Sequence, residues 1–177
     1  MSPKNIATEG RAAGLHLLAL TDHNTARNAP AFETACRREG VVGLYGMEVT
    51  TREEAHVLSI FADVETAMEM GELVEAELPQ IEKSPSPFGD QVYVDEDEYI
   101  LGEISAALFS ATGFSTEEVV EMTHRRRGLV IPSHIDRPSF SIVMQLGFLP
   151  KLPFDDAPLA AVAYYLYHTP LDRPGWS

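Results

Sequence analysis

The run LHLLALTDHN, residues 15–24, decides the fold class. Leu15 to Leu20 is nearly all apolar, the pattern of a strand covered on both faces, as in a parallel sheet. Thr21, Asp22, His23 and Asn24 follow at once, so the strand ends among donors and acceptors. Upstream, Ser2 and Pro3 read as the N-cap and first residue of a helix that Gly14 ends. Downstream, a second helix spans about Pro30 to Glu39, Gly40 closes it, and Val41 to Thr51 forms the next strand. Helix and strand alternate, which predicts an α/β domain.

His56 to Phe61 is a further apolar run, only about four residues beyond Thr51. A parallel crossover needs a dozen or more residues, so these two strands should form a hairpin or a sharp bend. With the turn centred on Arg52, Glu48 lies opposite His56, their Cβ atoms roughly 5 Å apart. Asp63 to Leu78 reads as an amphipathic helix with Val64, Ala67, Met68, Leu73 and Val74 on one side. Lys83 to Gly89 is a Pro/Ser/Gly loop, and Gln91 to Leu101 a small ribbon turning at Asp95–Glu98. Ser115 and Glu118 make a capping box for a helix to about Arg127. Gly128 to Ser133 is another buried strand, ending at His134. The pattern divides the chain into a domain over 1–150, with an acidic segment at 63–103, and an irregular tail over 151–177.

Composition narrows the function classes. At 177 residues, 45% hydrophobic and 23% charged, the chain is one globular domain with enough length to bury a core. Its single cysteine, Cys36, cannot form an internal disulfide, which predicts a reducing compartment. The N-terminus lacks the apolar core of a signal peptide and no run approaches a membrane span, so the expectation is cytoplasmic. Net charge is −14, of which residues 63–103 hold −12. That segment reads as a solvated helix face plus a charged turn. A face that grips a nucleic-acid backbone needs many Lys and Arg, so nucleic acid is not the expected partner.

The six histidines differ in setting. His16, inside LHLLAL, reads as a packed core residue; His124, beside Arg125 to Arg127, as a surface one; His168 falls in the tail. His23 in TDHN, His56 in EEAHVL and His134 in PSHIDRP each stand at a strand end with polar neighbours. In α/β folds the loops beyond the carboxyl ends of strands converge and carry the chemistry. With Glu48 near the end of its own strand, the set His23, Glu48, His56 and His134 suits Zn²⁺, Mn²⁺ or Fe²⁺. Any one of these residues taken alone is more often structural; position, residue type and strand order together raise the metal reading. Asp22 could orient His23 or a metal-bound water, or cap a helix or turn. Arg137 could bind a substrate phosphate, or lie on the surface as an arginine before proline often does.

Thr21-Asp22-His23-Asn24, Gly46-Met47-Glu48-Val49, His56-Val57-Leu58, and Ser133-His134 followed by Asp136-Arg137-Pro138 resemble, in order, motifs of the PHP (polymerase and histidinol phosphatase) superfamily. The resemblance covers about residues 2–150. It implies a distorted TIM-like barrel around seven strands, mainly parallel, with two or three divalent metals at the strand carboxyl ends. It also implies His23, Glu48, His56 and His134 as ligands, with Glu48 the bridging carboxylate. The implied activity is hydrolysis of a small phosphomonoester or nucleotide. Metals there offset phosphate charge, bring the pKa of water from 15.7 toward about 7, and clamp the in-line attack.

Two departures qualify this. The family's opening His-x-His strand and its closing Asp-x-His motif are both missing, and Asp155, Asp156, His168 and Asp172 lack the right context. The chain is also shorter than the roughly 250 residues of a full barrel. The expectation is therefore an incomplete barrel, truncated at both ends, holding one metal, with weak or absent turnover. An internal methionine taken as the start would explain the first loss. The alternative is a non-catalytic metal- or partner-binding module. A nuclease or editing role, known in the superfamily, is weakened by the −14 charge. A sheet edge left unpaired beside the TDHN strand also offers a route to self-association.

Overall fold

The computed structural model describes residues 1–81, 89–135 and 137–155, and its elements begin where the sequence offers caps. The Ser2 side chain accepts from the Asn5 N–H and opens helix α1 (Pro3–Ala12). Strand β1 (Leu17–His23) leads to helix α2 (Ala29–Glu39), which ends on Gly40 in the left-handed region that a residue without Cβ enters freely. Strands β2 (Val42–Thr50) and β3 (His56–Phe61) follow, then helix α3 (Val64–Ala76), capped by Asp63. A ribbon of β4 (Val92–Val94) and β5 (Ile100–Glu103) turns at Asp95, whose carboxylate accepts from the Asp97 and Tyr99 N–H groups. Helix α4 (Thr116–Arg125) starts at the Ser115–Glu118 capping box and leads to β6 (Leu129–Pro132). A short helix α5 (Ile142–Leu146), for which the sequence pattern gives no expectation, comes last. Residues 82–88, Asp136 and 156–177, and with them most of the expected Pro/Ser/Gly loop, His168 and the greater part of the tail, lie outside the described residues.

The main sheet has the order β1-β2-β3-β6. Only β1 and β2 pair in parallel; β2 with β3 and β3 with β6 are antiparallel. The expected mainly parallel, TIM-like barrel is therefore wrong: the sheet is mixed and, among the described residues, open. The cause lies in residues 51–55, a connection long enough for a hairpin but not for a crossover helix. Once β3 is reversed, β6 beside it runs the same way as β1 and β2.

The helices share one face. Helices α2 and α3 pack on β2, and α4 packs on β3 and β6. Alternation along the strands sends Tyr45, Met47, Val49, Val57, Phe61 and Val130 into that layer, against Phe32, Cys36, Met70, Val74 and Val119. On α3 the buried stripe is Ala67, Met70, Gly71 and Val74, while Leu73, expected inside, is exposed. The opposite face is only partly covered among the described residues, buried at Glu48, Thr50 and Ile60 but open toward β1. Leu17 is 55% exposed, Val42 61% and Leu129 47%, so LHLLAL is not covered on both faces. His16 lies just before β1 and is exposed rather than packed.

Two further expectations change. The acidic segment is not wholly solvated: Glu75 is buried, accepts from Thr25, and pairs with the Arg27 guanidinium at 2.8 Å. His124 is not a free surface residue, because its Nε2 stands 2.9 Å from Asp155 Oδ2. The same carboxylate oxygen accepts from the Val130 N–H, which seats residues 151–155 beside β6. No helix among the described residues is long and apolar enough to cross a membrane.

Candidate metal centre

Three carboxyl ends and one amino end meet at a single rim of the sheet. His23 ends β1 and Glu48 is its direct neighbour across the parallel pair. His56 starts β3, and His134 follows β6 by two residues. Because β3 runs against the others, its first residue reaches the rim where the others finish.

The hairpin register differs from expectation. His56 pairs with Thr50, and Glu48 with Leu58, so the turn centres on Glu53 rather than Arg52. The Thr51 N–H donates to the Ala55 carbonyl at 2.9 Å, the Glu54 N–H donates to the Thr51 carbonyl at 2.8 Å, and Glu54 takes φ 61°. A shift of two keeps every side chain on its face, whereas a shift of one would have sent His56 to the helix layer. Glu48 and His56 thus become diagonal neighbours, still within reach of long side chains.

Glu48 is the hub. Its Oε2 lies 3.4 Å from His23 Nδ1, and its Oε1 lies 3.5 Å from His56 Nδ1 and 3.4 Å from His134 Nε2. His56 Nδ1 and His134 Nε2 are 3.2 Å apart. Ligand atoms of His23, Glu48 and His56 all fall within 4.8 Å of one another; His134 is outside that group but touches both Glu48 and His56. Glu48, His56 and His134 are buried, while the His23 side chain is 50% exposed and forms the open side. Burial pushes the Glu48 carboxyl up. Hydrogen bonds from His56 and Ser133, with the charges of His56 and His23, outweigh that and hold it at about 2. Burial pushes the His134 imidazole down, against the pull of Glu48, and so favours the neutral form that ligates metals.

Three residues that support the site were not singled out from the sequence. Ser133 donates its hydroxyl to Glu48 Oε1, and its N–H to the His56 carbonyl. Phe140 stacks on the His56 ring at 4.8 Å and 18°, and its carbonyl accepts from the His56 N–H. Asn24, buried at φ 52°, accepts from the Thr50 N–H and donates to the Leu108 and Ser110 carbonyls, fixing the ends of β1 and β2. Ser133 and Asn24 do stand inside the quoted motifs, next to His134 and His23. Phe140 carries no local signal.

Asp22 does not reach His23. Strand alternation turns it to the helix side, where its carboxylate accepts from Asn28 Nδ2 at 3.0 Å, at the start of α2. The donor is a side-chain amide and not a backbone N–H, so this contact is not a helix cap. Arg137 is exposed in the loop after His134, its N–H donating to the His134 carbonyl at 2.9 Å, and its charge helps lower the His134 pKa.

A buried carboxylate held ionised is costly unless something cationic faces it. Among the described residues no lysine or arginine pairs with Glu48; its partners are three imidazoles and one hydroxyl. The ligand atoms of His23, Glu48 and His56 lie close enough together to hold an ion, and imidazoles with a carboxylate suit Zn²⁺, Mn²⁺ or Fe²⁺. No family model matches the chain, and neither a curated protein nor a solved structure does.

Proposed function

We propose that the chain is a metal-dependent phosphoesterase of the PHP type, hydrolysing a small phosphomonoester or nucleotide. The observation that carries this reading is the convergence of His23, Glu48, His56 and His134 at one rim of the sheet. The order of the four motifs along the chain supports it independently. His23, Glu48, His56 and His134 would hold one divalent ion, Mn²⁺, Zn²⁺ or Fe²⁺. A cation bound there offsets phosphate charge and brings the pKa of water toward about 7.

The residues of the chain divide the remaining work. Ser133 and Phe140 fix the Glu48 carboxylate and the His56 ring, so the donors are set before a metal arrives. The exposed His23 marks the side from which substrate enters. Arg137, next to His134 and outside the buried cluster, binds the phosphate in competition with solvent. With one ion, turnover is expected to be weak. Action in a reducing, cytoplasmic compartment fits a chain whose one cysteine is buried.

The test combines elemental analysis with phosphate release from aryl and nucleotide monophosphates under Mn²⁺ or Zn²⁺. The expected result is about one metal per chain and a metal-stimulated rate that Glu48→Gln and His56→Ala both abolish. Tightly held metal without turnover would replace the esterase by the non-catalytic metal-binding module. A rate unmoved by either substitution would remove the site altogether.

A further inference from the structure

Among the described residues β1 is an edge strand, and its first five residues, Leu17 to Thr21, carry no charge to guard that edge. Among the described residues nothing pairs with it on the side away from β2. The Val42 N–H donates to the His16 carbonyl and the Asn24 N–H to the Glu48 carbonyl. Even-numbered residues therefore turn their backbone groups toward β2. Leu17, Ala19, Thr21 and His23 turn theirs outward, where they have no backbone partner among the described residues. The strand holds no lysine, no proline and no bulge, and its side chains on the open face begin with Leu17, 55% exposed.

Charge selects the partner. In a chain of net charge −14, Ala12 to Thr21 contains no charged residue, and neither does Gly40 to Met47 on the strand beside it. This edge is the neutral part of a strongly anionic body, so an uncharged apolar strand fits it and a charged segment would lose solvation. The Leu17–Thr21 part of β1 is itself such a stretch, with Asp22 and His23 confined to the strand's end.

We infer that β1 pairs antiparallel with β1 of a second copy of this chain, joining the two four-stranded sheets across a two-fold axis. The register that uses the whole strand centres on Leu20. It sets Leu17 against His23 and Ala19 against Thr21 of the other copy, so every outward donor and acceptor of β1 is satisfied. An axis perpendicular to the sheet keeps the two open faces on one side, which makes the contact self-complementary. Leu17 and Val42 of each copy then lie along the seam. The proposal uses no metal chemistry and stands apart from the phosphoesterase reading.

Sedimentation of the full chain over about 1 μM to 1 mM is the first measurement. The expected result is a monomer–dimer equilibrium that salt strengthens, because screening weakens repulsion between the anionic bodies. Leu17→Lys, at an exposed position, should weaken association by roughly tenfold or more while leaving the thermal midpoint unchanged. Ala19→Pro, which removes only an outward N–H, should do the same. Amide exchange resolves the register: slowing with concentration at Leu17, Ala19 and Thr21, with no change at Leu18 and Leu20. A monomer throughout the range overturns the proposal. So does a dimer that Leu17→Lys leaves intact, or one that protects the chain elsewhere, such as around exposed Phe148.

Discussion

Glu48 Oε1 and His134 Nε2 lie 3.4 Å apart although β2, which holds the first, and β6, which the second follows, do not pair. β3 separates β2 from β6, and His56 at its start stands between the two residues. β2 and β6 run the same way, so their ends share a rim, and because β3 alone is reversed its first residue joins them there. Any change that altered strand direction would scatter the cluster without touching one of its side chains.

Replacing Glu48 by Gln keeps the size of the hub and removes its charge. Metal affinity should fall by at least about tenfold, read by calorimetric titration with Zn²⁺ or Mn²⁺. Saturating metal should raise the thermal midpoint of the native chain, since the ion binds the folded state, and should leave that of Glu48→Gln nearly unmoved. An equal rise in both would place the metal elsewhere.

Ser133→Ala tests the support rather than the ligand. The hydroxyl donates to Glu48. Loss of such a contact typically costs about 10–100-fold in metal affinity. The far-ultraviolet circular dichroism should stay native, because the Ser133 N–H still donates to His56.

Asn24→Ala should lower stability by about 2–3 kcal/mol, measured by urea unfolding. The buried amide serves the Thr50 N–H and the carbonyls of Leu108 and Ser110, all left unpaired by the substitution. Alanine also takes φ 52° less readily than asparagine.

Gly46→Ala should be worse, at about 3 kcal/mol or more, or abolish folding. A Cβ there would lie 1.9 Å from the Ser59 carbonyl oxygen, and backbone on the paired strand cannot step aside as a side chain can. A soluble variant with native-like melting would show that β2 and β3 can separate.

Glu53 supplies a pH dependence away from the metal site. Its carboxylate accepts from the Thr116 N–H and hydroxyl, tying the β2–β3 turn to the start of α4. Burial pushes its carboxyl up, but hydrogen bonds from Thr116, Thr51 and its own backbone hold it below the usual 4.5. The folded pKa is depressed, so its contribution is complete above about 4.5 and fades as pH falls through the lower folded value. Glu53→Gln should therefore destabilise the chain at pH 7 and converge with the native protein near pH 3, in melts run side by side.

Local chemistry determined much of this molecule. Ser2, Asp63 and Ser115 cap helices and Gly40 ends one, because capping involves residues three or four apart and needs no distant partner. Strand ends and the residue types at them were legible in the same way, which put His23, Glu48, His56 and His134 in view together. Tertiary structure decided the rest. Nothing within LHLLAL says that Leu15 and Leu17 stay exposed, and nothing within Asp22 says that Asn28 holds it. The hairpin register moved by two because the Thr51–Ala55 turn has its own preferred hydrogen bonds, while period-two alternation preserved the face. Sheet direction, cover and register depend on which distant segments pair. That free energy is shared among residues far apart in the chain, so no single stretch records it.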